Sequence, residues 1–383
     1  MRTIYLDNNA TTPVAPEVFE AMRPFYTEHF GNPSSGHRLG DRPASAVRDA
    51  HARVAAVLGC TESEIVFTSC GTESDNLAIA GVVETARAKR HVITTAVEHS
   101  AVLNPIKRLA STGHEVTILG VDRAGRLNLD ELRGALRDDT ALVSVMLANN
   151  ETGVIFPIDR IAEIVHARGV PLHVDAVQAV GKVPVRMDAL GVDLLAASAH
   201  KFHGPKGVGA LFVRKATRWS PVFLGGSQER RRRPGTENVA GMVAMATAWE
   251  LAEQHLPHYQ TVVQRLRDRF EAEILERVPD VFVNGAGCER LPNTSNIGFV
   301  GVDAHAMLVL LDEVGICASA GSACHSGAAA PSHVLDAMGL SPDEAGSCVR
   351  FSLSTLTTDE EISYCTDHIA KIVERMRSNF ISA

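Results

Sequence analysis

Apolar positions along this chain change period repeatedly. Short apolar runs fall over 64–68, 91–96, 115–119, 141–147, 170–174, 192–197 and 208–213, lengths that suit buried strands. Between them, stretches with apolar residues at helical spacing cover 16–25, 44–58, 77–88, 100–111, 129–136 and 158–168. Val47, Val54 and Leu58 mark one face of the second, and Gly59 ends it. Strands alternating with helices predict an α/β fold, a largely parallel sheet covered on both faces. A long helical stretch over 238–277 contains Pro257, which should kink or break it and mark a domain junction. Beyond 280 the pattern changes to a smaller unit with strands over 296–300, 315–318 and 349–353 and a helix over 303–311. The last helix is predicted to start at the capping box Thr357-Thr-Asp-Glu360, with Ile362, Cys365, Ile369, Ile372, Val373 and Met376 on its buried face.

In open parallel sheets, ligands bind outside the carboxyl ends of the strands. His99, Asn150, Asp175, Gln178 and Lys201 each follow a predicted strand closely. Lys201 lies in Ser198-Ala-His-Lys-Phe-His-Gly-Pro-Lys-Gly207, between two apolar runs. Desolvation there would lower its pKa and free the amine to condense with a carbonyl. Gly71 and Thr72 open a helix after a strand, a place where free backbone N–H groups can hold a phosphate or where Thr72 can simply cap the helix. A lysine amine and a carboxylate for a pyridinium nitrogen are what pyridoxal phosphate enzymes require. The run Arg230 to Arg233 reads as a solvated face leading through Pro-Gly-Thr236 into a helix. Cys324 sits among small residues from Ser319 to Pro331, in a loop expected to be exposed; the other six cysteines read as packing residues.

The formal charge of −8 over 383 residues argues against a nucleic-acid binder. The first residues lack the apolar core of a signal peptide, and no run is long enough to span a membrane. Seven scattered cysteines without a CxxC pair predict neither a disulfide framework nor a structural metal site, and suggest the cytoplasm.

Several segments then occur in one order: Tyr5-Leu-Asp-Asn-Asn-Ala-Thr-Thr, Phe67-Thr-Ser-Cys-Gly-Thr-Glu-Ser, Asn149-Asn-Glu-Thr-Gly, Asp175-Ala-Val-Gln, Ala199-His-Lys, Arg233-Pro-Gly-Thr and Ser319-Ala-Gly-Ser-Ala-Cys. With these the chain resembles the cysteine desulfurases, the NifS/IscS family of fold type I pyridoxal phosphate enzymes, and more closely the NifS branch. The resemblance implies a large domain over 15–255 with a mostly parallel seven-stranded sheet, and a small α+β domain from 1–14 and 256–383. It implies that Lys201 carries pyridoxal 5'-phosphate and moves the substrate Cα proton. Asp175 would pair with the pyridinium nitrogen, His99 would stack on the ring and act in acid–base steps, and Gln178 would bond the phenolic oxygen. Gly71, Thr72, Ser198 and His200 would hold the phosphate, with Thr236 reaching in from the other subunit of a homodimer. Asn150 and Arg350 would clamp the carboxylate of L-cysteine. Cys324 would take the sulfur as a persulfide, leaving L-alanine. The implied acceptor is an iron–sulfur scaffold of the NifU/IscU type, whose cluster Cys324 could contact; no intrinsic metal is expected. A selenocysteine lyase or another enzyme of the same fold is the alternative. Two departures stand out: His325 where threonine is common, placed to tune the thiolate, and Ala329-Ala330 where many members have Leu-Glu.

Overall fold

The computed structural model describes residues 3–86, 88–321 and 332–381. Cys324, His325 and Ala329-Ala330 lie outside the described residues. The strands in chain order are β1 (Ile4–Tyr5), β2 (Ile65–Thr68), β3 (His91–Thr95), β4 (Glu115–Leu119), β5 (Thr140–Met146), β6 (Leu172–Asp175), β7 (Leu194–Ser198) and β8 (Gly209–Val213). They continue with β9 (Val281–Val283), β10 (Thr294–Phe299), β11 (Ile316–Cys317) and β12 (Cys348–Ser352).

Seven of them form one sheet in the order β2-β8-β7-β6-β5-β3-β4. The pairs β4–β3–β5–β6–β7 are parallel, while β8 runs antiparallel to both β7 and β2. The sheet is thus mostly parallel, as the alternating pattern predicts. Its central strands β5, β6 and β7 are buried along their whole length, which explains their continuous apolar runs. A three-stranded antiparallel sheet, β12-β10-β9, and the short pair β1–β11 lie apart from it. Ile4, Leu6, Val263, Phe270, Ile297, Phe351 and Ile369 share a core with this second sheet.

Some predicted boundaries move, each for a physical reason. The helix expected over 44–58 begins at Arg38, with Pro43 inside it, and ends at Gly59 as predicted. The helix expected over 77–88 spans Gly71–Thr85. Its first turns look like loop because they are polar, yet Ser74 and Asp75 in them are buried. Pro257 does not break its helix: Val239–His258 continues through a π-helical turn, Tyr259–Val263, into Gln264–Arg277. The Thr261 hydroxyl donates to the Pro257 carbonyl at 2.7 Å across this turn. The capping box of the last helix is Thr358 with Glu361, one residue later than predicted. The Thr357 hydroxyl is occupied by the Ser354 amide of the preceding turn. Its predicted apolar face is buried throughout.

The arginine run is not a plain solvated face. Glu229, Arg230 and Arg231 adopt left-handed backbone with φ of 44°, 56° and 64°. Glu229, its side chain 5% exposed, anchors this turn by accepting from the Phe67 amide at 2.8 Å and pairing with His51 at 3.0 Å. Arg230 and Arg232 donate to the carbonyls of Glu62 and Ser63, and Arg233 pairs with Glu73 at 2.8 Å.

Candidate active site

A cavity of about 210 Å³ opens at the carboxyl ends of β2, β5, β6 and β7. Gly71, Thr72, His99, Asn150, Asp175, Gln178, Ser198, His200 and Lys201 all line it, together with Ala10, Cys70, Asp75 and Val177. Nine residues expected to act together are therefore adjacent in space. Arg350 and Thr236 do not line it. Thr236 is exposed on the loop after the arginine run.

Strand register assembles one end of the cavity. Gly209 of β8 is opposite both Thr68 of β2 and Ser198 of β7. A Cβ at Gly209 would lie 2.7 Å from the Cys70 backbone and 2.9 Å from the Ala197 carbonyl, so only glycine lets these strand ends meet. The helix that starts at Gly71 then directs its N-terminus toward Ser198. A Cβ on Gly71 would lie 2.7 Å from the Val177 side chain. Ser198 Oγ is buried and has no partner among the described residues. Unbonded helix amides, the Thr72 hydroxyl and this serine hydroxyl make a donor set suited to a phosphate group. Burial, then the charges of Lys201 and Lys206, lower the His200 pKa to about 4, so its imidazole is neutral near pH 7.

The opposite end is acidic and buried. Asp175 closes β6, and its Oδ1 accepts from the Val177 amide at 2.9 Å. Burial raises its pKa, opposed by that amide and by the charge of Lys201. Asp75 is raised well above the ordinary value by burial and then by the Asp175 and Glu98 charges. A cationic nitrogen placed at Asp175 would relieve this mutual repulsion. The residues therefore fit pyridoxal phosphate at both ends: donors for its phosphate and an under-neutralised carboxylate for its ring nitrogen.

The groups between these ends are held from outside the cavity. The segment Asn8 to Pro13 lies along the lysine turn. Lys201 Nζ donates to the carbonyls of Asn9 and Ala10 at 2.7 and 2.9 Å, and Thr12 binds the His200 carbonyl through its amide at 2.9 Å. His99 caps the helix Ser100–Ala110, its Nδ1 accepting from the Ala101 amide at 3.1 Å. That leaves the proton of the neutral ring on Nε2. Asn149 shapes the next turn by accepting from the amides of Glu151 and Thr152. The carbonyl of Asn150 accepts from Arg350 Nη1 at 3.0 Å. Arg350, 2% exposed, also gives Nη2 to Asp7 at 2.7 Å, while its Nε is buried without a partner among the described residues. Asp7 thus already engages part of the fork predicted to clamp a substrate carboxylate.

Sequence patterns do not single out Asp75, Asp7, Glu98 or Lys182. Glu98 braces the loop before His99: its Oε1 accepts from Thr95 Oγ1 at 2.7 Å and the Met146 amide at 2.9 Å. Burial raises its pKa to about 8. Between about 4.5 and 8 the folded state therefore binds more protons than the unfolded chain, and stability falls as pH rises through that window. Glu98→Gln is expected to flatten the fall between about pH 6 and 8 by up to about 1.4 kcal/mol per pH unit. Urea unfolding at three pH values checks this; equal slopes in both proteins would assign the effect elsewhere.

Among the described residues, no helix is long and apolar enough to cross a membrane. The family model for aminotransferase class-V matches residues 4–365. A cysteine desulfurase of Trichormus azollae is 52% identical over 99% of this chain and 94% of its own. The cysteine desulfurase NifS of Azotobacter vinelandii is 49% identical over 99% of this chain and 94% of its own. The solved structure of a NifS-like protein superposes with a TM-score of 0.92 at 39% identity, covering 97% of this chain and all of that one.

Proposed function

The chain belongs to the cysteine desulfurases of the aminotransferase class-V family, and from that premise we propose how its residues divide the work. It is a pyridoxal-phosphate-dependent enzyme that converts L-cysteine to L-alanine and supplies sulfur for iron–sulfur cluster assembly. One observation carries the assignment of roles: a strand-end lysine, a buried carboxylate and a helix N-terminus line the same small cavity.

When bound, pyridoxal phosphate supplies an electron-withdrawing ring that makes the substrate Cα–H bond acidic. Gly71, Thr72, Ser198 and His200 would hold its phosphate, Asp175 would pair with its ring nitrogen, and Gln178 would bond its phenolic oxygen. Lys201 would anchor it covalently, and its Nζ would take the substrate Cα proton. Neutral His99, with its proton on Nε2, serves the adjacent acid–base steps. Asn150 and Arg350 orient the substrate carboxylate. Arg350 has its Nε to offer while Nη2 stays on Asp7. The Cys324 thiolate attacks the substrate sulfur: an S–S bond forms and the Cβ–S bond breaks. The released electron pair goes to Cβ, which takes a proton; Lys201 would return a proton to Cα, and alanine leaves.

The residues divide into a large domain over 15–255 and a small one from 1–14 and 256–383. The enzyme works in the cytoplasm as a homodimer, and Thr236, exposed on its own subunit, completes the partner's phosphate site. The sulfur passes to an iron–sulfur scaffold of the NifU/IscU type. To test this, alanine release from L-cysteine is measured for wild type, for Thr236→Val, for Lys201→Ala and for the mixed variants. Wild type should release alanine, and subunit exchange should return up to about a quarter of its activity through hybrid dimers with one intact site. No recovery after verified exchange would remove Thr236 from a shared site.

A further inference from the structure

Lys182 is 1% exposed. The charges acting on it most are those of Lys201 and Arg350, both positive. Burying a cation in such surroundings is costly, and burial drives this amine toward its neutral form. Its bonding matches: Nζ donates to the carbonyl of Gln178 at 3.0 Å and to Gln178 Oε1 at 2.9 Å. A neutral amine has two hydrogens for these two acceptors, whereas an ammonium would need a third.

Both acceptors belong to the same residue. On the other side of its amide, Gln178 Nε2 donates to the Asn9 carbonyl at 2.9 Å, the carbonyl that also accepts from Lys201. A main-chain carbonyl can only accept, so Nε2 must face Asn9 while Oε1 faces Lys182. Reversing the amide would set oxygen against oxygen at Asn9 and give up the bond that Lys182 donates to Oε1. The remaining N–H of Nε2 is left for the cavity that Gln178 lines.

We propose that Lys182 is a positioning residue that fixes the Gln178 amide so that it presents a donor, never an acceptor, to an anionic oxygen in the cavity. The proposal rests on Gln178 bonding the cofactor's phenolic oxygen. Lys182 touches neither substrate nor reacting atoms; it acts through Gln178.

The test uses holoenzyme without substrate and reads the pH titration of the bound cofactor's visible absorption band. A donor on a phenolic oxygen favours its anion, so losing the donor raises the pH at which the chromophore releases its proton. Gln178→Leu is expected to raise that midpoint by about one pH unit, and Lys182→Met, similar in length and apolar, by about half as much. Unfolding midpoints establish that the variants are folded; Lys182→Leu replaces the methionine variant if that one is not. A shift in Gln178→Leu with none in the Lys182 variant would reduce Lys182 to a space-filling residue and overturn the proposal while leaving Gln178 in place. No shift in either would overturn the role of Gln178 and the proposal with it.

Discussion

Lys201→Ala is expected to lose turnover of L-cysteine by on the order of 10⁴-fold or more, because covalent anchoring and Cα proton transfer disappear together. Of the lysines, Lys201 alone lines the cavity among the described residues. Its Nζ is held toward the cavity by the Asn9 and Ala10 carbonyls. The cavity walls should still admit pyridoxal phosphate, since the phosphate donors and Asp175 remain, but only reversibly. Borohydride reduction of wild type followed by peptide mapping should place the label on Lys201. Two other lysines offer a strict comparison: Lys206 faces a different cleft, and Lys182 is buried behind Gln178. Label on either would displace Lys201 from its role.

Cys324→Ala should separate the cofactor from sulfur transfer. Alanine and persulfide should both fall by on the order of 10³-fold or more, with the cofactor spectrum retained, since no assigned cofactor contact is touched. The other cysteines are poor substitutes. Burial pushes the thiols of Cys60 and Cys348 up to about 12 and raises those of Cys288 and Cys317, so they stay protonated and weakly nucleophilic. Cys365 is fully buried. Cys70 lines the cavity, which makes Cys70→Ala the most demanding control; it should keep its turnover. Near-normal alanine release by Cys324→Ala would point instead to a lyase that needs no persulfide.

The sheet was legible in the sequence because its central strands are buried on both faces and read as unbroken apolar runs. The site was legible because parallel strands deliver their following residues to one edge, which is where His99, Asn150, Asp175, Gln178 and Lys201 converge. Pattern fails where burial is polar. Apolar periodicity starts the helix from Gly71 only at Leu77, because the polar side chains of Ser74 and Asp75 are the buried ones in its first turns. Lys182 carries no mark of burial, since a lysine after a glycine reads as solvated. The turn Asn8-Asn9-Ala10 shows polarity but not that its carbonyls brace Lys201 and Gln178. Such contacts join residues far apart in the chain, and local spacing cannot encode them.

The place of β2 in the sheet has a consequence for synthesis. Among the described residues its one neighbour is β8, so the strand that leads into the Gly71 turn is made early and paired late. While the ribosome has delivered only the residues before Gly209, β2 has no strand beside it, and the Gly71 turn cannot be brought against Ser198 through Gly209. A nascent chain can hold the five strands of the parallel core and still lack one end of the cavity. The cavity is therefore complete only after β8 has emerged, and from then on a cofactor bound in it would add to the stability of the joined strands by mass action.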